Sequence, residues 1–437
     1  MNGKRVVGMA VLALAIWLAG ASGTAYGQGN TWPGLGLSQM VEGAGWRLGP
    51  FRINGALTFN NAGYDTDVYY QYLGEDPVPD WTFAAGAPVQ ILLPLGKKIV
   101  LDISDSPQYL FYVDTERERA WNNTLRGQIH FPLERVYAQL GGGMADVRRR
   151  LSLELDINVR EKRNGLDGLF LWQTSQATSL AFFYERATYD YGDAEYLGEL
   201  LAERLNREVD LLDMIAYVQS GRRTRLYLDG QYGNYAFRGG TSEDRDAKSY
   251  GIFGGVEFLP MVAGSRGRAG LRGGLKLGYM RLDLANPELT DGSGFAGEAD
   301  VSINLTHRTS VQATFSRGFQ FSIYSGATYY LSTLYRAGLS HRLSRRAALS
   351  YDASFGSSSY PDVGDFQNLG GDRYSAHTLS LIVRATRYLN LTLFGTLGRR
   401  VRPSADVTTR YRSFFGLNLV WGSLGNTMPS LIGELVR

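Results

Sequence analysis

The sequence predicts an all-β fold, a transmembrane antiparallel up-and-down β-barrel of about 18 strands, within a range of 16–18. Three observations predict it. Apolar and polar residues alternate with period two along most of the chain. Tight turns alternate with long polar segments. Glycine (54) and tyrosine (27) are abundant, and charged residues, at 20%, fall below the roughly 25% of soluble domains.

The chain begins with a secretory signal. Lys4 and Arg5 precede an apolar run from Val6 to Ala19, and Ala25-Tyr26-Gly27 supplies small residues at a cleavage site. The run is short for a spanning helix, and no later apolar run reaches the roughly 18 residues needed. The predicted organisation is a signal peptide at 1–27, a short periplasmic segment at 28–45, a barrel at 46–421 and a periplasmic tail at 422–437. There is no cysteine, which excludes disulfides, thiolate chemistry and a lipid anchor on cysteine. Loss of Lys4 and Arg5 takes the net charge from +3 to +1, which gives no basis for nucleic-acid binding.

Each strand is read from alternation. Phe51, Ile53, Leu57 and Phe59 oppose Arg52, Asn54, Thr58 and Asn60. Leu271, Leu275, Leu277 and Tyr279 oppose Arg272, Gly274, Lys276 and Gly278. Phe295, Val301, Ile303 and Leu305 oppose Glu298, Asp300, Ser302 and Asn304, and the chain then turns at His307-Arg308. The last runs set Leu389, Leu391, Leu393 and Leu397 against Asn390, Thr392, Thr396 and Arg400, then Phe415, Leu417, Leu419 and Trp421 against Arg410, Arg412, Gly416 and Asn418.

Tight links include Leu133-Glu134-Arg135, Gly221-Arg222-Arg223, Ser344-Arg345-Arg346 and Thr386-Arg387-Tyr388. Long loops include Asp65 to Asp80, Tyr191 to Arg207, Arg238 to Asp246, Ala285 to Ser293 and Tyr360 to Asp372. Helical spacing of Leu197, Leu200, Leu201 and Leu205 predicts a short helix between Tyr196 and Leu212, and the Tyr191 to Arg207 loop is a candidate to close the pore. Outer-membrane barrels are built with short periplasmic turns and long external loops. A soluble sandwich is disfavoured, because strands of about 10–14 residues are long for one. Aromatics near strand ends, as in Tyr109-Leu110-Phe111-Tyr112, Tyr329-Tyr330 and Trp421, fit lipid interfaces.

In such a barrel the polar face lines the lumen. Parity places Arg52, Arg225, Arg272, Lys276, Arg336, Arg384, Arg400, Arg410 and Arg412 inside, with Asp229, Glu298, Asp300 and Asp352. Lys276 is expected to pair with Asp300 on the next strand. Arg384, Arg400, Arg410, Arg412 and Arg52 are expected on one wall, with Arg400, Arg410 and Arg412 toward the external mouth. That wall either attracts an anionic solute or pairs with lumenal acids. Inward aromatics such as Tyr227, Tyr235, Phe183 and Tyr330 either stack on sugar rings or pack on neighbours. No catalytic or metal-binding constellation is read: His130, His307 and His341 fall near short turns, and His377 has lipid-facing parity. No cofactor is expected.

Leu48-Gly49-Pro50-Phe51-Arg52-Ile53, then Gly63-Tyr64-Asp65, Tyr184-Glu185-Arg186, Tyr189-Asp190-Tyr191 and the basic turn in Leu339-Ser340-His341-Arg342-Leu343-Ser344 resemble the putative beta-barrel porin 2 family. The resemblance covers nearly the whole mature chain. It implies a bacterial outer-membrane barrel exported by a cleaved signal, linked to exopolysaccharide production. The partners it implies are outer-membrane lipid, the barrel-assembly machinery during insertion and a periplasmic polysaccharide-export apparatus. Passage of polysaccharide is the implied activity. A general or solute-specific uptake porin and a plugged structural or adhesive barrel are the alternatives. Gly416, Leu419 and Trp421 resemble the assembly signal of bacterial barrels, although Phe414 stands where that signal has a polar residue.

Overall fold

The computed structural model describes residues 33–423, apart from 70–75, 97, 151–153, 155–157, 193, 197–198, 222, 239–244, 260–269, 325–326, 361–370 and 403–407. The signal peptide and nearly all of the C-terminal tail lie outside the described residues.

Eighteen antiparallel strands close into one barrel. They are β1 (Phe51–Asp65), β2 (Asp80–Gly86 and Val89–Leu95), β3 (Ile99–Asp105 and Gln108–Tyr112), β4 (Ala120–Pro132), β5 (Val136–Arg149) and β6 (Val159–Gln173). Then follow β7 (Thr178–Asp190), β8 (Arg207–Gln219), β9 (Thr224–Phe237), β10 (Ala247–Phe258), β11 (Gly270–Leu284) and β12 (Ser293–Asn304). The last six are β13 (Thr309–Phe321), β14 (Tyr329–Arg342), β15 (Ala347–Ser359), β16 (Arg373–Arg384), β17 (Leu389–Arg402) and β18 (Thr408–Gly422). The barrel closes where β18 pairs with β1, with Leu57 opposite Trp421. β2 and β3 are interrupted at Pro88 and Pro107, which have no N–H for the ladder. The two ends of the barrel differ as the sequence predicts, with short turns at one and long loops at the other.

Large apolar side chains cover the outer face. Leu57 (53%), Leu166 (69%), Ile252 (68%), Leu397 (56%) and Trp421 (56%) are all exposed. In water so many exposed apolar groups would drive association, whereas in lipid they are solvated. The hairpin of β12 and β13 is oriented as expected at its base. Phe295 faces outward at 52% exposure and Glu298 faces the lumen, where it meets Lys276.

Two features depart from simple alternation. In β1, Phe59 is opposite Leu419 but Ala62 is opposite Leu417, so Asn60 and Asn61 share one partner residue. Asn61 has φ 50°, a conformation asparagine tolerates, and its N–H donates to Asn418 Oδ1 at 2.7 Å. The bulge shifts the face by one residue. Asn54, Thr58 and Asn60 are buried on the inner face before it, and Asp65 after it.

The second departure is in β13 and β14. The β12–β13 ladder runs only from Gly297 opposite Arg317 to Asn304 opposite Ser310. Beyond it, Gly318–Phe321 pair with β14 alone. Phe319, Phe321 and Tyr329 share the parity of the exposed Phe315–Tyr335 side, yet all three are buried. They pack on inward residues of β8 to β12, among them Val209, Tyr235, Phe237, Met280, Leu282 and Ala296. The tip of this hairpin therefore turns into the barrel. Tyr329 and Tyr330, at 4% and 1% exposure, are not an interfacial girdle. Burial of each large side chain stabilises this turn by about 1.5–3 kcal/mol relative to exposure in water.

Before the barrel, α1 (Pro33–Glu42) seats Leu37 on Leu92 and Val100 of the inner wall, near the short-turn end. The predicted periplasmic segment thus includes a helix tucked against the lumen. α2 (Leu201–Leu205) is the helix predicted in the β7–β8 loop, shorter than expected because β8 begins at Arg207.

Candidate functional site

The lumen wall from β1 to β7 carries a continuous polar network. Asn54 Nδ2 donates to Gln90 Oε1 (3.3 Å), and Gln90 Nε2 to Asp102 Oδ2 (2.9 Å). His130 Nε2 stands 4.0 Å from Asp102, its Nδ1 lies 2.8 Å from Tyr137 Oη, and Tyr137 donates to Gln139 at 3.2 Å. His130 stands near the short turn, as expected, and is buried in the wall.

Arg126 on β4 reaches across β5 to Asp167 on β6, at 2.8 Å. Gly141 on the intervening strand leaves the space. A Cβ there would meet Asp167 Oδ2 at 3.1 Å and Arg126 Nη2 at 3.2 Å. Both partners are nearly sealed, at 3% and 5% side-chain exposure. Arg126→Leu is therefore expected to cost about 3–5 kcal/mol, because it strands a buried carboxylate. Adding Asp167→Asn should recover part of that loss. Urea unfolding midpoints in detergent check this; no difference between the single and double variants would mean Asp167 is hydrated.

Pairing continues around the wall. Arg149 meets Glu161 (3.0 Å), Arg163 meets Glu185, Lys276 meets Asp229 (3.4 Å) and Glu298 (3.7 Å), Arg400 meets Asp372 (3.0 Å), and Arg412 meets Asp65. These wall cations are thus held by carboxylates.

The short-turn mouth is different. Arg52, Arg272, Arg342 and Arg384 have inward parity there, and Arg308, Arg345 and Arg346 occupy the turns. Arg52 donates to the Gly49 carbonyl (2.8 Å) and Arg272 to Ser302 Oγ (2.5 Å). Among the described residues, no carboxylate forms an ion pair with any of these seven. The sequence flagged the basic turns, but not that these seven lack a carboxylate partner; Arg225, at the same end, is the exception and pairs with Glu257.

At the other end the long loops converge on the inturned hairpin. Arg245, from the β9–β10 loop, donates to the carbonyls of Ser322 and Thr328 (2.5 and 3.0 Å) and of Arg204 (2.8 Å). Glu154, from the β5–β6 loop, is fully buried and accepts from Ser322 Oγ (2.6 Å) and Ile323 N–H (2.9 Å). Burial pushes its carboxyl up to about 7, against the opposing pull of those hydrogen bonds and of Arg245. Leu201 and Leu205 of α2 join Val159, Tyr191 and Ile323 in one buried cluster. Four loops are thus tied together over this side of the lumen.

A family model described as putative beta-barrel porin 2 matches residues 177–411, more than half of the chain. The chain belongs to the putative beta-barrel porin 2 family. This places it among outer-membrane barrels of porin-like fold. Similar solved structures include a BenF-like porin from Pseudomonas fluorescens Pf-5, with 10% identity and TM-score 0.46, covering 86% of this chain and 99% of that one. OccAB3 from Acinetobacter baumannii has 10% identity and TM-score 0.47, covering 85% and 98%. The outer membrane protein opdK from Pseudomonas aeruginosa has 10% identity and TM-score 0.48, also covering 85% and 98%. No curated protein matches the chain.

In this porin 2 family barrel the predicted lumen charges separate into distinct groups. Lys276 is opposite Glu298, whereas Asp300 is opposite Gly274 and accepts from Gln312 (3.1 Å). The expected Lys276–Asp300 pair does not form, because register puts Glu298 directly across. Arg400 and Arg412 are tied to acids, and Arg410 sits between them opposite Arg400. Arg336 and Asp352 lie within electrostatic reach of each other. Of the wall expected to attract anions, Arg400 and Arg412 are thus tied to acids, whereas Arg52 and Arg384 join the short-turn arginines that have no carboxylate partner among the described residues. Of the inward aromatics, Phe183, Tyr235 and Tyr330 are packed on neighbours at 6% exposure or less. Tyr227 pairs with Tyr217 at 5.5 Å.

Proposed function

We propose that this barrel is a channel that carries an anionic polysaccharide outward, loading it at the short-turn, periplasmic mouth. One observation supports this above the others: the wall cations from Arg126 to Arg412 named above are held by carboxylates, whereas seven arginines at the short-turn mouth have no carboxylate partner among the described residues. Low-dielectric walls focus the field of such a rim and raise the local concentration of anions. Beyond the rim the wall cations named above are held by carboxylates, which leaves them little pull to trap a polyanion. The link of the family to exopolysaccharide production fits this direction. A periplasmic export apparatus would then present the polymer at the same mouth.

An uptake porin for small anions would use the same rim, so the test must separate the two. In a deletion strain, acidic surface polysaccharide should be lost and should return with the wild-type gene. It should return only weakly with a gene in which Arg272, Arg308, Arg342 and Arg384 are glutamine. Unchanged polysaccharide with slowed uptake of small organic anions would replace export by import. Unchanged polysaccharide and uptake, with no bilayer conductance, would leave a structural barrel.

A further inference from the structure

In one cluster of the wall, acids outnumber bases. Asp213 on β8, Asp229 on β9 and Glu298 on β12 meet a single cation, Lys276 on β11. Three carboxylates against one ammonium leave two negative charges over. Asp213 and Gln231 are directly opposite in the β8–β9 ladder, which brings their Cβ atoms within about 4.5–5.5 Å. Gln231 Nε2 donates to Asp229 Oδ2 at 3.0 Å, so the amide points into this cluster. Its other end has no use there. Gln231 Oε1, Asp213 Oδ1 and Asp229 Oδ1 are all buried without a hydrogen-bond donor. Gln231 and Asp213 are only 5% exposed and Asp229 only 1%.

We infer that Asp213, Asp229 and Gln231 bind one hard divalent cation, calcium or magnesium, on the lumen wall. Three unsatisfied oxygens in one buried place are a donor set for a hard ion. A buried charge excess is costly unless countered, and a charge of two restores neutrality where a monovalent ion would not. Among the described residues no three acids or histidines converge on a metal by themselves. The proposed donors are instead two carboxylate oxygens and one amide oxygen, with water completing the shell. The Lys276 and Glu298 side chains keep 10% and 15% exposure, which leaves the ion a path from the lumen.

The test uses the full-length barrel, stripped with EDTA and held in an uncharged detergent. Calcium chloride or magnesium chloride at about 5 mM should raise its melting temperature by about 5 °C or more. Calorimetric titration should give one ion per barrel. Asp229→Asn and Gln231→Leu should abolish the rise. No rise in the wild type, or an equal rise in both variants, overturns the site. Should those variants fail to fold, Lys276→Met decides. Removing the competing ammonium should tighten ion binding at least tenfold, and unchanged or weaker binding overturns the proposal.

Discussion

Replacing Arg272, Arg308, Arg342 and Arg384 together by glutamine is expected to turn an anion-preferring channel toward cations. In water, a unit charge about 10 Å away changes the energy of a passing ion by about 0.4 kcal/mol, a factor of about 2 in its local concentration. Four such charges amount to about an order of magnitude at low salt. The effect should shrink as ionic strength rises and the Debye length falls to about 8 Å. Reversal potentials across a KCl gradient in planar bilayers measure it. Arg399→Gln is the control, because Arg399 has outward parity on β17, next to the inward Arg400. An unchanged reversal potential in the quadruple variant at low salt would remove the rim from the mechanism.

Acid is expected to close the barrel through Glu154. Its carboxyl is buried between the β5–β6 loop and the hairpin tip, where Ser322 Oγ and Ile323 N–H face it, with Arg245 from the β9–β10 loop and the Tyr360 phenol nearby. Burial raises it from an ordinary 4.5 to about 7 in this closed arrangement. In an open arrangement the carboxyl would be solvated and titrate near its ordinary value. The closed state therefore holds a proton that the open state releases. Its advantage is complete below about 4.5 and is lost as pH rises through about 7. The two values differ by an amount worth about 3 kcal/mol at most. Open probability should fall as pH drops from 8 to 5. Glu154→Gln, neutral at every pH, should lose that dependence and stay closed. A Gln variant with the wild-type pH profile would sink this account.

Most of the architecture was legible in the sequence because a barrel in lipid leaves few choices. Every strand must pair on both sides, and side chains must alternate between lipid and lumen. Leu57, Ile252 and Leu397 stand where period two puts them. The long loops predicted at Asp65 to Asp80 and Tyr191 to Arg207 match the strand ends. Which charges meet was less legible. Alternation put Lys276, Glu298 and Asp300 on one face, but only register decided that Glu298, and not Asp300, lies across from Lys276. The Arg126–Asp167 pair left one trace, the run Gly141-Gly142-Gly143, where the missing side chain at Gly141 leaves room above β5.

By itself the sequence determined the class, the strand alternation and the end at which basic turns gather, since each follows from local periodicity and composition. Only the tertiary structure decided three things. The bulge at Asn61 brings Asp65 inward to Arg412, because one extra residue on a strand reverses every face beyond it. The matching of charges across strands left seven short-turn arginines without a carboxylate partner among the described residues. The tip of β13 and β14 turned into the lumen, because an apolar patch on β8–β12 lay within reach of Phe319, Phe321 and Tyr329. Period two assigns those three residues to lipid. Contact with inward residues on strands as far as β8, which no local pattern encodes, draws them inside.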